Sequence, residues 1–541
     1  MTDQNIETSL DQDGVLLARI DMPGRTMNVF SLEMMDSLDR LIDRVLGDEQ
    51  VVAVVLASGK RAFLAGADLA MIRMFTERAR TDTHVQLVEL CGRLGRIFRR
   101  LECSPKPFVV AVDGIALGGG LELCLACHGR VVSDRRGVLL GLPEIKLGLL
   151  PGAGGTQRLP RMVGARLGLE MLLRGEPLKA AAALECGVVD EIAPAEQLIE
   201  RARARALALR DARKPWDIEG TKFASGAFAL EQDGAHERIA QALDLSPALL
   251  AHYPAYRAIM DCVVQGWIMP MDAALANEMD IFVRLIQDPV AGNMVRSLFL
   301  DRQRSLKVLD GAPDAGAVRV ALLGSDAAEL GKALAAAGVE VVDAGALERR
   351  DVAVLMGGHG EPPAATCVAY LQGRECMAVG AETGCRAGVW AAARSPHGRV
   401  VEVVWNGDPL ARAAAVLIAR SLRPDGVLVS FGREPVLPQL AGFAHEACAR
   451  GLDEDGQILA VAQGALEALA EGRVADEALL DSAVVVAGLV PAYCGGPFAF
   501  LRQLGETEAA ARLERARALA PELFGSADRL GEFFGGARHG A

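Results

Sequence analysis

Residues 116–160 read ALGGGLELCLACHGRVVSDRRGVLLGLPEIKLGLLPGAGGTQRLP. Three consecutive glycines, Gly118 to Gly120, leave no Cβ to hold a ligand away from the backbone. The apolar run 108–112 before them reads as a strand, and the run from Leu121 reads as a helix. The triplet therefore marks a strand-to-helix turn. Amides at such a turn face outward at the positive end of the helix dipole, which suits an oxyanion. Glu122 falls in the first turn of that helix, and Glu144 follows a second strand-like run at 138–142. Two carboxyls beside an oxyanion site can act on a water and on the carbon next to a polarised carbonyl.

Two further blocks flank this stretch: RAFLAGADLAMI at 61–72 and GEPLKAAAALECGVVDEIAP at 175–194. With these three blocks in order, the sequence resembles the crotonase (enoyl-CoA hydratase/isomerase) superfamily. The resemblance is closest to the hydratase half of multifunctional fatty-acid β-oxidation α-subunits. It implies a spiral of strand–strand–helix units. It also implies an oxyanion hole made by the amides of Ala67 and Gly119, with a shared water held by Glu122 and Glu144. Glu122 would activate that water for syn attack at C3 of a 2-enoyl-CoA thioester, and Glu144 would exchange the proton at C2. Close carboxyls cannot both ionise freely, so their pKa values should part. Family members that only isomerise double bonds tend to keep the second acid and lose the first. Both are present, so the resemblance implies a hydratase with isomerase as a side activity. Small Ala65, Gly66 and Ala67 fit an open turn, and Asp68 reads as a helix N-cap. The glycine-rich loop at Gly152 is implied to shape the acyl pocket. It is neither a Walker motif nor GxGxxG, since Gln157 stands at the third glycine.

A length of 541 residues points to three or four domains. Only 4% of residues are aromatic, so the cores must lean on Ala, Leu and Val. A net charge of −13 argues against nucleic acid or an anionic membrane as a main partner. A CoA ester would then need a local basic patch, for which Lys60 and Arg61 are candidates beside the plainer reading of solvated surface charge. The polar, acidic N-terminus does not read as a targeting peptide, and no run of 18 apolar residues predicts a membrane span. A cytoplasmic protein with free thiols is expected. Cys124, Cys127 and His128 match CxxCH formally, but lie in an apolar helix and read as packing residues.

In chain order, 14–21 reads as a strand, and Ser31 as the N-cap of a helix at 32–46. A strand follows at 51–58, then one amphipathic helix from Thr83 to about Ser104. The hydratase domain is taken as 1–206. A mostly helical connector and linker follows at 207–315, with 277–307 resembling the α-subunit's connecting helix.

The segment from Val318 has the strand–turn–helix–strand shape of a Rossmann start, which gives a Rossmann-like α/β domain at 316–430 and a helical domain at 431–541. The resemblance is to the NAD-dependent 3-hydroxyacyl-CoA dehydrogenase half of the same α-subunits, shortened and degenerate here. With Gly324 as first glycine, Asp326 and Glu329 fill the second and third glycine places, while Asp343 stands where a ribose-binding acid would. Asp326 brings bulk and negative charge to the intended pyrophosphate. Counting back from Ser395-Pro396 puts Ala392 at the family's catalytic histidine, and slips of one or two offer Ala391 or Trp390. His397 lies beyond Pro396. Glu402 matches the acid that orients the lost histidine and has no evident partner. The family's substrate-binding Asn–Arg pair falls on Gly432-Arg433, so the Asn is missing. NAD is therefore not expected to bind. Two other readings stand beside a hydratase with an inert second half: a working bifunctional enzyme, or a non-catalytic assembly partner, for instance of a thiolase. A homo-oligomer is also open.

Overall fold

A computed structural model describes residues 4–210, 213–314, 316, 318–323, 328–346, 351–356, 366–372, 385, 387–524 and 528–536. The chain gathers into two compact units, Met1–Gly292 and Asn293–Ala541. The border falls inside the segment read as a connector.

In the first unit, strands Val15–Ile20, Ala53–Ser58, Phe108–Val112 and Gly129–Ser133 lie side by side in parallel. Ile6–Leu10 pairs antiparallel at one edge, and Glu191–Ala193 parallel at the other. Phe108–Val112 and Gly129–Ser133 are buried throughout, because both faces of the sheet are covered. Val54, Leu56, Phe108 and Val110 face the main core. Val55, Ala57, Val109 and Ala111 face the other way, with Leu198, Ala202 and Ala206 of the helix Leu198–Ala208.

A smaller sheet repeats the path: Leu64–Ala65, Ile115–Leu117, Leu139–Gly141 and Leu178–Lys179. Each of three successive turns thus runs from the large sheet to the small one and on to a helix. The helices are Leu69–Arg78, Gly119–Ala126 and Gly155–Val163. This is the ββα spiral of the crotonase fold.

Ser31 caps its helix by accepting from the amide of Met34, and Asp68 accepts from that of Ala70, as their positions suggest. Two expectations need correction. The helix read from Thr83 to Ser104 is two helices, His84–Cys91 and Arg93–Glu102, meeting at Gly92. A Cβ at Gly92 would come 2.7 Å from the carbonyl oxygen of Val88 and 3.4 Å from Met279. The connecting helix at 277–307 is also broken. Its first part belongs to Met271–Gln287, which packs on the helices His84–Cys91 and Gly155–Val163 of the first unit. After a break at Asp288, a second helical run extends unbroken from Pro289 to Leu306, through a π-helical turn at Arg296–Leu300.

The second unit holds a seven-stranded sheet in the order Glu340–Val342, Arg319–Leu323, Val352–Met356, Thr366–Gln372, Ala387–Ala391, Val400–Trp405 and Gly426–Phe431. All neighbours are parallel except Ala387–Ala391 with Val400–Trp405. The strand Arg319–Leu323, helix Ala328–Ala336 and strand Glu340–Val342 form the Rossmann-like start. From Val436 the chain is helical. Among the described residues, no helix is long and apolar enough to cross a membrane.

Candidate active site

Gly118 has φ +56°, a conformation that glycine adopts without strain. It caps the helix Gly119–Ala126, and Glu122 is the acid of that helix's first turn. Glu144 opens a short 3₁₀ helix, Glu144–Leu147, directly after the strand Leu139–Gly141 and Leu142-Pro143. The spiral therefore brings the two acids together from adjacent turns. A Cβ on Gly118 would lie 2.7 Å from Glu144 Oε1, so only glycine leaves that carboxyl its place.

The two acids are held differently. Glu122 is buried, and its Oε1 accepts from the amides of Ala153 and Gly155, each at 2.8 Å. Glu144 Oε2 is buried and has no hydrogen-bond partner. Burial raises the pKa of both. Glu144 goes well above the usual carboxylate range, because the Glu122 charge adds to its burial. Glu122 is raised by burial but pulled back by its two amides and by Arg158. The two amides favour the charged form of Glu122, whereas Glu144 has no such donor on Oε2 and is pushed further up by the neighbouring charge.

The Ala65–Asp68 turn lies alongside. Phe30 donates its amide to Gly66 O, and Asp68 donates to Phe30 O. Those two bonds bracket Ala67 and leave its own N–H outside that pairing. The Cα of Gly66 is 3.7 Å from where a Gly118 Cβ would sit, so the turns carrying Ala67 and Gly119 are neighbours. Gly119 itself packs under Phe30, whose ring lies edge-on to Phe98 with centroids 5.5 Å apart.

Lys60 and Arg61 are placed apart in character. Lys60 Nζ is 2.6 Å from Asp21 Oδ1, whereas Arg61 is exposed. Gly152 sits against Phe282, where a Cβ would meet the ring at 3.0 Å. The cysteines among the described residues are free thiols. Cys124 donates to Gly120 O, and His128 Nδ1 accepts from the amide of Phe108, so the CxxCH residues serve packing.

Three buried residues of this site are not evident from its motifs. Arg158 is fully buried and donates from Nε and Nη2 to both oxygens of Glu102, at 2.8 and 3.0 Å. It also donates to Ala153 O at 2.8 Å, fixing the peptide whose N–H, that of Gly154, donates to Glu278. Glu278, on Met271–Gln287, accepts from the amides of Gly154 and Thr156 at 2.7 and 3.1 Å and from Thr156 Oγ1. The readable signal for Glu278 was an acid on the apolar stripe of Met271, Ala274, Ile281 and Leu285.

Residues 11–217 match the family model described as enoyl-CoA hydratase/isomerase. The N-terminal part of the chain belongs to that crotonase family. Over 292 residues it is 37% identical to a fatty acid oxidation complex subunit alpha from Shewanella halifaxensis, covering 53% of this chain and 39% of the relative. Over 327 residues it is 34% identical to a protein of the same name from Shewanella amazonensis, covering 59% of this chain and 44% of the relative. The match thus spans well under half the length of these curated relatives. Among solved structures, an enoyl-CoA hydratase from Bacillus anthracis aligns at 25% identity with a TM-score of 0.34, covering 56% of this chain and 96% of that one. The crotonase match ends before the second unit begins.

In that second unit, Gly324 and Asp326 lie outside the described residues. Glu329 sits in the first turn of Ala328–Ala336, 3.7 Å from Arg399 Nη2. Asp343 directly follows the strand Glu340–Val342. Glu402, read as lacking a partner, has three: the Ser430 hydroxyl, and the amides of Val436 at 2.6 Å and Leu437 at 2.8 Å. These amides open the helix Val436–Ala449, so the fully buried Glu402 serves as its N-terminal acceptor. Ala392 is buried and offers no base. His397 lies in the tight Ser395–Gly398 loop, its backbone amide donating to Ser395 Oγ.

Proposed function

We propose that the first unit hydrates 2-enoyl-CoA thioesters in fatty-acid oxidation. The supporting observation is the contrast between two adjacent buried carboxyls. Glu122 is held by two amides, while Glu144 packs its Oε1 against Gly118 and leaves its buried Oε2 without a partner. The amides of Ala67 and Gly119 polarise the thioester carbonyl. The water oxygen bonds to C3 as Glu122 takes one of its protons. The C2–C3 π electrons move toward the thioester oxygen, giving an enolate that the two amides hold. Glu144 then delivers its proton to C2, and the proton gained by Glu122 returns to Glu144 to close the cycle. Both acids are used, which favours hydration over isomerisation alone.

The test is an assay of the purified protein with a 2-enoyl-CoA, with and without NAD. Loss of the 2-enoyl absorbance without NAD supports the reading, and no hydration in either case rejects it. The pH profile is a second prediction. Activity needs Glu122 ionised and Glu144 protonated. Since burial raises both, kcat/KM should climb through an acid limb above the ordinary carboxylate range and fall only at a much higher alkaline limb. A rate already falling as pH rises through 4 to 5, where an ordinary carboxyl titrates, would reject these roles.

We propose that the second unit is not a dinucleotide-dependent dehydrogenase. Glu402, which matches the acid that orients the family's histidine, is spent on a helix end, and alanine stands at the place of the base. We expect no NADH binding by calorimetry at sub-millimolar concentration and no oxidation of 3-hydroxyacyl-CoA. Saturable NADH binding with substrate-dependent NADH formation would restore the bifunctional reading.

A further inference from the structure

Four consecutive amides leave the turn after Gly152, and two carboxylates share them alternately. Ala153 and Gly155 donate to Glu122; Gly154 and Thr156 donate to Glu278. Gly154 sits in this turn with φ +101°, a conformation that residues with side chains rarely adopt. A Cβ there would fall 1.8 Å from Arg158 Nη1, so the turn depends on glycine twice over. Gln157 completes the clamp. Its Nε2 donates to Thr156 Oγ1, which leaves the threonine proton free to point at Glu278. Behind the turn lies a cavity of about 250 Å³, bordered by Glu278, Gly152, Gly154 and Met279. Glu278 therefore fills no packing gap; it holds backbone.

We propose that Glu278 is a positioning residue for Glu122, holding the 153–156 turn from behind so that the amides of Ala153 and Gly155 fix the angle of the reacting carboxylate. This rests on the hydratase reading above. Glu278 does not touch the reacting atoms; it acts through the turn and through charge. The charged and titratable groups facing it are Glu122 and Glu144, Arg158 and Arg161 on the helix Gly155–Val163, and Cys262 on Pro254–Gly266. Arg96, Arg99 and Asp272 stand around the cavity. Burial and the Glu122 charge bring the Glu278 pKa up to about 8. Once ionised, above that pH, its negative charge adds to that of Glu122 in keeping the proton on Glu144.

The experiment measures kcat, KM and the pH profile of 2-enoyl-CoA hydration. In Glu278→Gln an amide group replaces an acceptor oxygen and confronts a donor. A displacement on the order of 1 Å costs up to about 100-fold, so kcat should fall roughly 10- to 100-fold while KM stays within about threefold. Loss of the negative charge also lets Glu144 ionise more readily, so the alkaline limb should move to lower pH. Glu278→Asp keeps the charge but shortens the reach. It should lower kcat and leave that limb in place, a split that a merely structural role would not produce. A folded Glu278→Gln protein with wild-type kcat and an unmoved alkaline limb overturns the proposal.

If Glu278→Gln does not fold, Thr156→Val and Thr156→Ser decide the matter. The first removes one donor and must lower kcat; the second must restore it, and equal rates overturn the proposal. If the wild-type protein does not hydrate, the hydratase reading fails and the clamp is still tested by amide hydrogen exchange. Exchange at 153–156 must quicken in Glu278→Gln but not in Glu144→Gln, and unchanged exchange overturns the clamp.

Discussion

Glu144→Gln and Glu122→Gln should each lower hydration at least about 100-fold, because one positioned acid or base contributes on the order of 10² to 10⁴. The two losses have different causes. At 144 the amide that replaces the carboxyl has no acidic proton to give to C2. Its Oε2 site is buried and lacks a partner, so no neighbouring donor can stand in. At 122 the amides of Ala153 and Gly155 both require an acceptor and will orient the new side chain with its oxygen toward them. The remaining position is then an NH₂ group, which cannot take a proton from water. Both substitutions keep shape, so circular dichroism and thermal melting should show a folded protein. At 144 the change also removes a proton-bearing group raised by burial and by the charge on Glu122. Near-normal turnover in either folded variant would remove that residue from the mechanism.

Much of this site was legible because its signals are local. The glycine triplet, the strand before it and the acid three residues into the helix are read from about a dozen consecutive residues. Asp68 and Ser31 announce themselves as caps by their place before apolar runs. What escaped depends on contacts between distant segments. Arg158 lies in a helix whose composition suggests an exposed basic face, yet it is wholly buried, because Glu102 from another helix meets it in bidentate fashion. Glu278 belongs to a segment that resembled a connector, and only packing shows that it reaches the turn beside Glu122. The same holds for Gly92 and Gly95. Helical periodicity runs straight through them, but a Cβ at Gly95 would stand 3.6 Å from Ala153 Cα. At Gly95 the turn packs in van der Waals contact with the helix, a neighbour that periodicity cannot register. In the second unit, the broken fingerprint was readable, whereas the use of Glu402 at a helix end was not, since Val436 and Leu437 lie more than thirty residues on.

Gly119→Val should impair catalysis more than stability, with a rise of about 3 kcal/mol in the barrier if it displaces one oxyanion donor. Gly119 does not have positive φ, so its backbone accepts a side chain without strain. The obstacle is Phe30, whose Cδ2 and Cε2 would lie 3.0 and 3.2 Å from the new Cβ. Phe30 cannot move freely, because Phe98 lies edge-on to its ring and its amide donates to Gly66 O at 2.8 Å. A push on Phe30 is therefore passed to the turn carrying Ala67, so one substitution disturbs both proposed donors. Overpacking of this kind costs about 1–3 kcal/mol in stability, which a unit with so extensive a core can absorb. kcat should fall by roughly two orders of magnitude while the melting transition stays cooperative. Gly119→Ala should fall between, since the Cβ alone needs the ring to give by only a few tenths of an ångström. Wild-type turnover in Gly119→Val would show that the hole is not formed by Gly119 and Ala67.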